Sequence, residues 1–297
     1  MRIEDLNYFL AVAETGHVGR ASERLGQSQP ALTKGIQRLE RELQLQLFDR
    51  TAKGMELTSP GQAFFQRARH VRTSLDDAIK EANDLHLGKI GLVRVGVAPS
   101  HSELFFGSAC AALLQQRPAA RVKVTIGLND QLLAALQFGD LDMAISALPS
   151  QELTDFVQQP LFQDDLQVVA RDDHPLLRAD RLRFADLADA SWVLPGSNVA
   201  ARRSIEARFA EHGMPPPNVV VECNSSVTSL ASVVQSTDLL TLLPESVLRK
   251  APGAGLAPLG LPETRWPRTV GITTRRGAYL SPLAERLVEL LRGHGPG

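Results

Sequence analysis

Only two cysteines, Cys110 and Cys223, occur among the 297 residues. They are too few for a disulfide framework or a cysteine-built structural zinc site, so a reducing, cytoplasmic setting is expected. Long apolar runs are absent as well. No stretch reaches the ~18 apolar residues that would cross a bilayer, and no membrane partner is expected. The opening residues, MRIEDLNYFLAVAETG, interrupt their apolar positions with acids, so no secretory signal is expected there. The histidines at 17, 70, 86, 101, 174, 212 and 294 show no metal-ligand spacing. The sequence contains no G-x-G-x-x-G, no G-x-x-x-x-G-K-[ST] and no G-x-S-x-G. No metal, cofactor or enzymatic chemistry is expected.

What is present is unevenly distributed. The net charge is −1, but residues 20–72 alone carry +5 and the remainder −6. A basic segment on a mildly acidic body suits a polyanion partner.

Apolar spacing predicts a helix over residues 4–15, ended by Gly16, and a second through Val18, Ala21 and Leu25, closed by Gly26. A third opens at Ser28 or Gln29, either of which can serve as its cap, with Pro30 in the first turn. Its buried stripe is Leu32, Ile36, Leu39 and Leu43. Thr33, Lys34, Gln37, Arg38 and Arg41 fall on the other faces. Thr51-Ala52-Lys53-Gly54 then reads as a hairpin tip between Leu47-Phe48 and Leu57. Three helices, a hairpin and a basic third helix make a winged helix-turn-helix. Such a helix can enter the major groove, where base edges carry sequence information. A small protein-docking module is the competing reading.

Ser59-Pro60-Gly61-Gln62 carries a capping serine, with proline at the first helical position. Phe64, Ala68, Val71, Leu75, Ala78, Ala82 and Leu85 follow at alternating steps of four and three, a heptad seam. A helix from Pro60 to Leu87 would be ~42 Å long. It could lie on its own domain, but so narrow a seam suits a second helix better. Beyond Gly88 and Gly91 the rhythm becomes strand, helix, strand, helix, strand, which predicts a parallel sheet covered by helices. Two strands and a second α/β set follow. Residues 251–267 read as loop with at most one strand.

The stretch AVAETGHVGRASERLGQSQPALTKGIQRLERELQLQLFDRTAKGMELTSPGQ resembles the DNA-binding domain of LysR-type transcriptional regulators. The match includes Ala21, Leu25, Ser28-Gln29-Pro30-Ala31-Leu32, Ile36, Leu39-Glu40, Leu43, Leu47-Phe48, Arg50, Leu57-Thr58 and Gly61. A looser likeness after Gly91 rests on Val95-Gly96-Val97-Ala98, Gly139-Asp140-Leu141-Asp142-Met143-Ala144-Ile145 and Leu239–Pro244. The resemblance implies an α/β protein with an α-rich N-terminal domain. A winged helix-turn-helix (1–59) leads into a dimerising linker helix (60–87) and a hinge (88–91). A two-lobed effector-binding domain (92–297) like a type 2 periplasmic binding protein follows, with lobe I at 92–161 and 266–297 and lobe II at 162–265. The implied partners are promoter DNA, a small-molecule effector and further copies of the chain, paired through the linker helix and assembled as a homotetramer that bends DNA. A cytoplasmic solute-binding module acting through protein partners is the alternative.

By that resemblance Gln29, Thr33, Gln37 and Arg38 face the groove. Ser28, Lys34, Arg50, Thr51 and Lys53 hold phosphate. Gly35, inside the third helix, either admits DNA closely or is merely tolerated, at ~1 kcal/mol against alanine. In the second half the family's cleft positions fall on Ser100, His101, Asn129, Ser146, Ala147, Gly196, Ser197 and Ser226, with Arg202 able to supply positive charge. Serines at helix N-termini favour a small organic or aromatic acid, though they can equally be simple caps. Cys223 ends a strand near this cleft, and Cys110 sits on an apolar helix face.

Overall fold

In the computed structural model, residues 1–51, 54–87, 91–149, 151–179, 181–197, 199–224 and 227–293 are described. The chain divides into two units, Met1–His86 and Leu87–Gly297.

The first unit begins with α1 (Ile3–Thr15), α2 (Val18–Leu25) and α3 (Gln29–Leu43). Gly16 and Gly26 close the first two helices with φ of 70° and 62°, a conformation that costs glycine nothing. Ser28, not Gln29, caps α3: its Oγ accepts from Ala31 N–H at 3.4 Å. Leu32, Ile36 and Leu39 are buried against Leu6, Phe9 and Leu10 of α1. The hairpin β1 (Phe48–Thr51) and β2 (Gly54–Leu57) follows in antiparallel register. Glu40 ties it to α3 by accepting from Leu47 and Phe48 N–H at 2.8 and 3.2 Å. Helix α4 (Ser59–Leu87) is capped one residue earlier than the spacing suggested. Thr58 Oγ1 accepts from Gly61 N–H at 3.0 Å, which makes Thr58 the cap in place of Ser59. Phe64, Phe65 and Ala68 join the core of this unit. Further along the seam, Val71 is 58% exposed, and Ala78 and Ala82 are exposed. The side chain of Leu85, the last seam position, lies outside the described residues.

The second unit holds two lobes. In lobe I, β3 (Leu92–Val97), β4 (Arg121–Ile126) and β5 (Met143–Ala147) are parallel, as the alternating rhythm predicted. A helical segment runs from α5 (Pro99–His101) through a π-helical stretch (Ser102–Phe106) into α6 (Gly107–Gln116). Helix α7 (Asn129–Gln137) connects β4 to β5. The strand β6 (Phe156–Gln163) leads away to lobe II, where β7 (Leu166–Arg171), β8 (Ser191–Leu194), α8 (Ala200–Glu211), β9 (Asn218–Glu222), α9 (Val227–Gln235), β10 (Thr241–Pro244) and α10 (Glu245–Leu248) lie. Residues 251–267 hold two short strands, β11 (Leu256–Pro258) and β12 (Arg265–Trp266), where at most one was expected. The chain returns to lobe I in β13 (Thr269–Arg275) and ends in α11 (Pro282–Gly293).

The sheets are mixed rather than uniformly parallel. In lobe I, β13 runs antiparallel to both β5 and β6, in the order β4-β3-β5-β13-β6. In lobe II, β8 and β9 are parallel, while β7 is antiparallel to β10, β11 and β12. Separate apolar clusters fill the lobes. Val95, Phe105, Ile145 and Leu287 belong to the first, and Val168, Trp192, Phe209 and Leu240 to the second. Two crossings therefore join the lobes, Asp164-Asp165 after β6 and Pro267-Arg268 before β13.

Candidate functional site

On the first unit, the residues expected at the duplex mostly share one surface. Gln29, Thr33, Lys34 and Gln37 line a shallow depression with Pro30 on the outer face of α3. Thr33 and Gln37 also line the groove between α3 and the hairpin, where Arg50 stands. Ser28, Gln29, Lys34, Gln37, Arg50 and Thr51 are exposed. Neither Lys34 nor Arg50 is held by an ion pair among the described residues, so both cations remain available to an external anion. Thr51 Oγ1 donates within the hairpin, to Gly54 O at 3.4 Å and Glu56 Oε1 at 3.3 Å. Lys53 lies outside the described residues.

Two expectations change here. Arg38 does not stand free on the groove face. Its guanidinium makes a bidentate pair with the fully buried carboxylate of Asp5, with Nε donating to Oδ2 at 2.8 Å and Nη2 to Oδ1. That hydrogen bond lifts Arg38 above its ordinary pKa. The reason is burial: a carboxylate removed from water must be paired. Nor does Gly35 serve an approach to DNA. It is buried against α1, where a Cβ would stand 2.5 Å from Tyr8 Cδ2 and 2.9 Å from Asp5 Oδ1.

In the second unit a cavity of about 350 Å³ opens between the lobes, at the lower end of ordinary ligand pockets. Lobe I supplies the ends of its parallel strands: Ser100 and His101 after β3, Asn129 after β4, and Ser146 and Ala147 at the end of β5. These five sequence-expected residues are thus brought together, as the crevice rule for open α/β sheets anticipates. Ser146 Oγ donates to Asn129 Oδ1 at 2.7 Å. His101 is buried and packs edge-on to Phe162. Burial, helped by the positive charge of Arg268, pushes its pKa down to about 3, so the imidazole is neutral at pH 7. Apolar wall comes from Leu133, Leu166, Val227, Leu230, Leu242 and Leu243.

Three expected effector residues lie elsewhere. Gly196 is buried behind the cavity wall, its N–H donating to Asn224 Oδ1 at 2.7 Å. Ser197 is exposed and stands two residues ahead of Val199, which occupies the cap position of α8. Arg202 points along its own helix, where Nε pairs with Glu206 Oε1 at 2.5 Å and Nη1 reaches Pro195 O at 3.4 Å. Its neighbour Arg203, a rotation of about 100° around the helix, lines the cavity instead. Ser226 lies outside the described residues. Unanticipated polar lining residues include Asp130, Asn224 and Arg268, while Cys223 does line the cavity it was placed near. No disulfide joins Cys110 and Cys223. Burial raises the Cys110 thiol pKa. Among the described residues no three His, Cys, Asp or Glu side chains are grouped as a metal site, and no helix is long and apolar enough to cross a membrane.

Comparison with known proteins follows the same division. Residues 3–62 match the profile "Bacterial regulatory helix-turn-helix protein, lysR family", and residues 87–296 match "LysR substrate binding domain". The regulator GbpR of Azospirillum brasilense is 34% identical over 238 residues, covering 80% of this chain and 70% of its own. A full-length OxyR variant from Pseudomonas aeruginosa superposes with a TM-score of 0.70 at 27% identity, covering 100% of this chain and 96% of the other. CbnR crystallised with its target DNA shares the fold at 22% identity, with a TM-score of 0.63 and 99% coverage of both chains.

Proposed function

This chain belongs to the LysR family of bacterial transcriptional regulators, a DNA-binding unit joined to an effector-binding one, and on that premise we propose how it reads its two ligands. The polar outer face of α3 carries the proposal: Gln29, Thr33 and Gln37 reach base edges, where amide and hydroxyl groups can bond the donor and acceptor pattern of the major groove. Ser28 at the helix N-terminus, Lys34, and Arg50, Thr51 and Lys53 of the hairpin hold phosphate, which fixes register without reading sequence. Arg38 positions α3 through Asp5 rather than touching a base.

Two copies pair along α4, whose seam from Val71 onward has little of its own chain to cover it, and pairs of dimers form the homotetramer. Winged helices from the two chains of a dimer then meet two half-sites. The effector is a small organic acid, held between polar groups of lobe I and an apolar wall supplied mostly by lobe II. It shifts the balance between tetramer shapes, and so the bend in promoter DNA, only by binding one shape more tightly than another. The work is done in the cytoplasm. The competing reading, a solute-binding module that docks a protein, gains nothing from the comparisons.

A gel-shift titration of the full chain against the region upstream of its own gene, beside random DNA of equal length, tests this. A specific complex at lower protein concentration is expected. Equal affinity for both duplexes would leave the outer face of α3 without a reading role.

A further inference from the structure

Resting on the reading that the cavity takes an organic acid, we propose that Arg268 grips the acid's carboxylate, and that it does so from the pivot between the two lobes. Arg268 lies on the return crossing and Asp164 on the outward one. They are bound across the pivot: Asp164 N–H donates to Arg268 O at 3.0 Å. Arg268 Nε donates to Asp164 O at 2.8 Å, and Nη2 to Asp164 Oδ2 at 3.2 Å. The Asp164 carboxylate is shared. Ser246 N–H and Ser246 Oγ–H, from the first turn of α10, each reach it at 3.0 Å.

The guanidinium is therefore incompletely served. It has five N–H donors, and two of them go to Asp164. No other described residue accepts from the remaining three, although only 21% of the side chain is accessible. Arg268 is among the residues that line the cavity. Desolvation holds the group below the usual arginine range even with Asp164 and Asp165 nearby. A carboxylate from the cavity would supply the missing acceptors in a bidentate geometry that suits arginine.

The surroundings favour this site over the other cation. Arg203 is exposed to water, where an ion pair contributes little. His101, beside Arg268, is neutral and buried, and no described residue bonds its ring nitrogens, so it can add one N–H donor without competing for the negative charge. Ser100 and Ser146 line the same cavity. The ligand that fits is a compact acid with one carboxylate and an apolar or aromatic body, its charge lodged beside the two crossings that join the lobes.

The test is calorimetric titration of the full chain with matched acids and amides: benzoate against benzamide, and 3-phenylpropionate against its amide. The acids are expected to bind about tenfold more tightly than the amides. Arg268→Gln should erase that preference and leave the amides unchanged. Asp164→Asn, which removes the competing carboxylate, should tighten the acids. If Arg268→Gln does not fold, Arg268→Lys decides, with acid affinity expected to drop while the charge is kept. Acid binding undiminished in Arg268→Gln, or in Arg268→Lys where the glutamine variant does not fold, overturns the role of Arg268 and leaves the organic-acid reading intact. Wild-type protein that binds the amides but neither acid overturns both, as does a wild-type protein that binds none of the four probes.

Discussion

Gly35 and His101 show how much a single position can carry. On helix propensity alone, Gly35→Ala should stabilise α3 by ~1 kcal/mol. The new methyl would instead meet the Tyr8 ring and the Asp5 carboxylate, and Asp5 is held in place by Arg38. Overpacking of a close-packed contact costs ~1–3 kcal/mol, so a net loss of about 1 kcal/mol is expected. A urea midpoint that rises would contradict the close α1–α3 contact. His101 has a folded pKa of about 3 against 6.5 for the free side chain. Because the folded value is the lower, the unfolded chain binds the extra proton between the two. The stability that neutral His101 confers is complete above pH 6.5 and is lost on acidification towards pH 3, at about 1.4 kcal/mol per pH unit. His101→Asn should remove that slope. Denaturant midpoints of both proteins at pH 6.5 and pH 5 check it, and parallel losses would count against a buried neutral imidazole.

At the scale of elements, α4 is the one whose own unit does not account for its sequence. Phe64 and Ala68 are used by the first unit's core, but Val71 is 58% exposed and Ala78 and Ala82 face solvent. Val71→Glu with Leu75→Glu leaves that core untouched while placing charge in the seam. The pair is expected to convert a dimer into a monomer by sedimentation, and to cost on the order of 10²-fold in operator affinity through lost bivalency. A variant that remains dimeric would remove the seam from the interface. Elements such as α3 and α4 were legible because a 3.6-residue period survives in the letters. Even the burial of Gly35 had its signal, since positions 32, 35 and 39 share one face. What periodicity could not decide was geometry: which of Thr58 and Ser59 caps α4, or whether Arg202 or Arg203 turns toward the cavity. Lobe I's share of the cavity was readable because ligand groups follow the ends of parallel strands. Arg268 was not, because its place depends on two crossings about a hundred residues apart meeting at one point.

The charge of the whole molecule argues for DNA most simply through salt. The chain is nearly neutral, so nonspecific attraction by net charge is weak, and affinity must come from the basic stretch around α3 and the hairpin. Each phosphate neutralised contributes about −0.9 to the slope of log affinity against log salt. On a fragment long enough for the two half-sites of one dimer, where every contact occurs twice, Arg50→Ala should flatten that slope by about 1.8, on operator and on random DNA alike. Gln29→Ala should leave the slope alone and weaken only the operator, by ~1–3 kcal/mol per half-site. Filter binding across a salt series separates the two. A flattening of about 0.9 would mean one winged helix engaged per complex, and an equal loss on both duplexes for Gln29→Ala would move that residue from reading bases to holding the backbone.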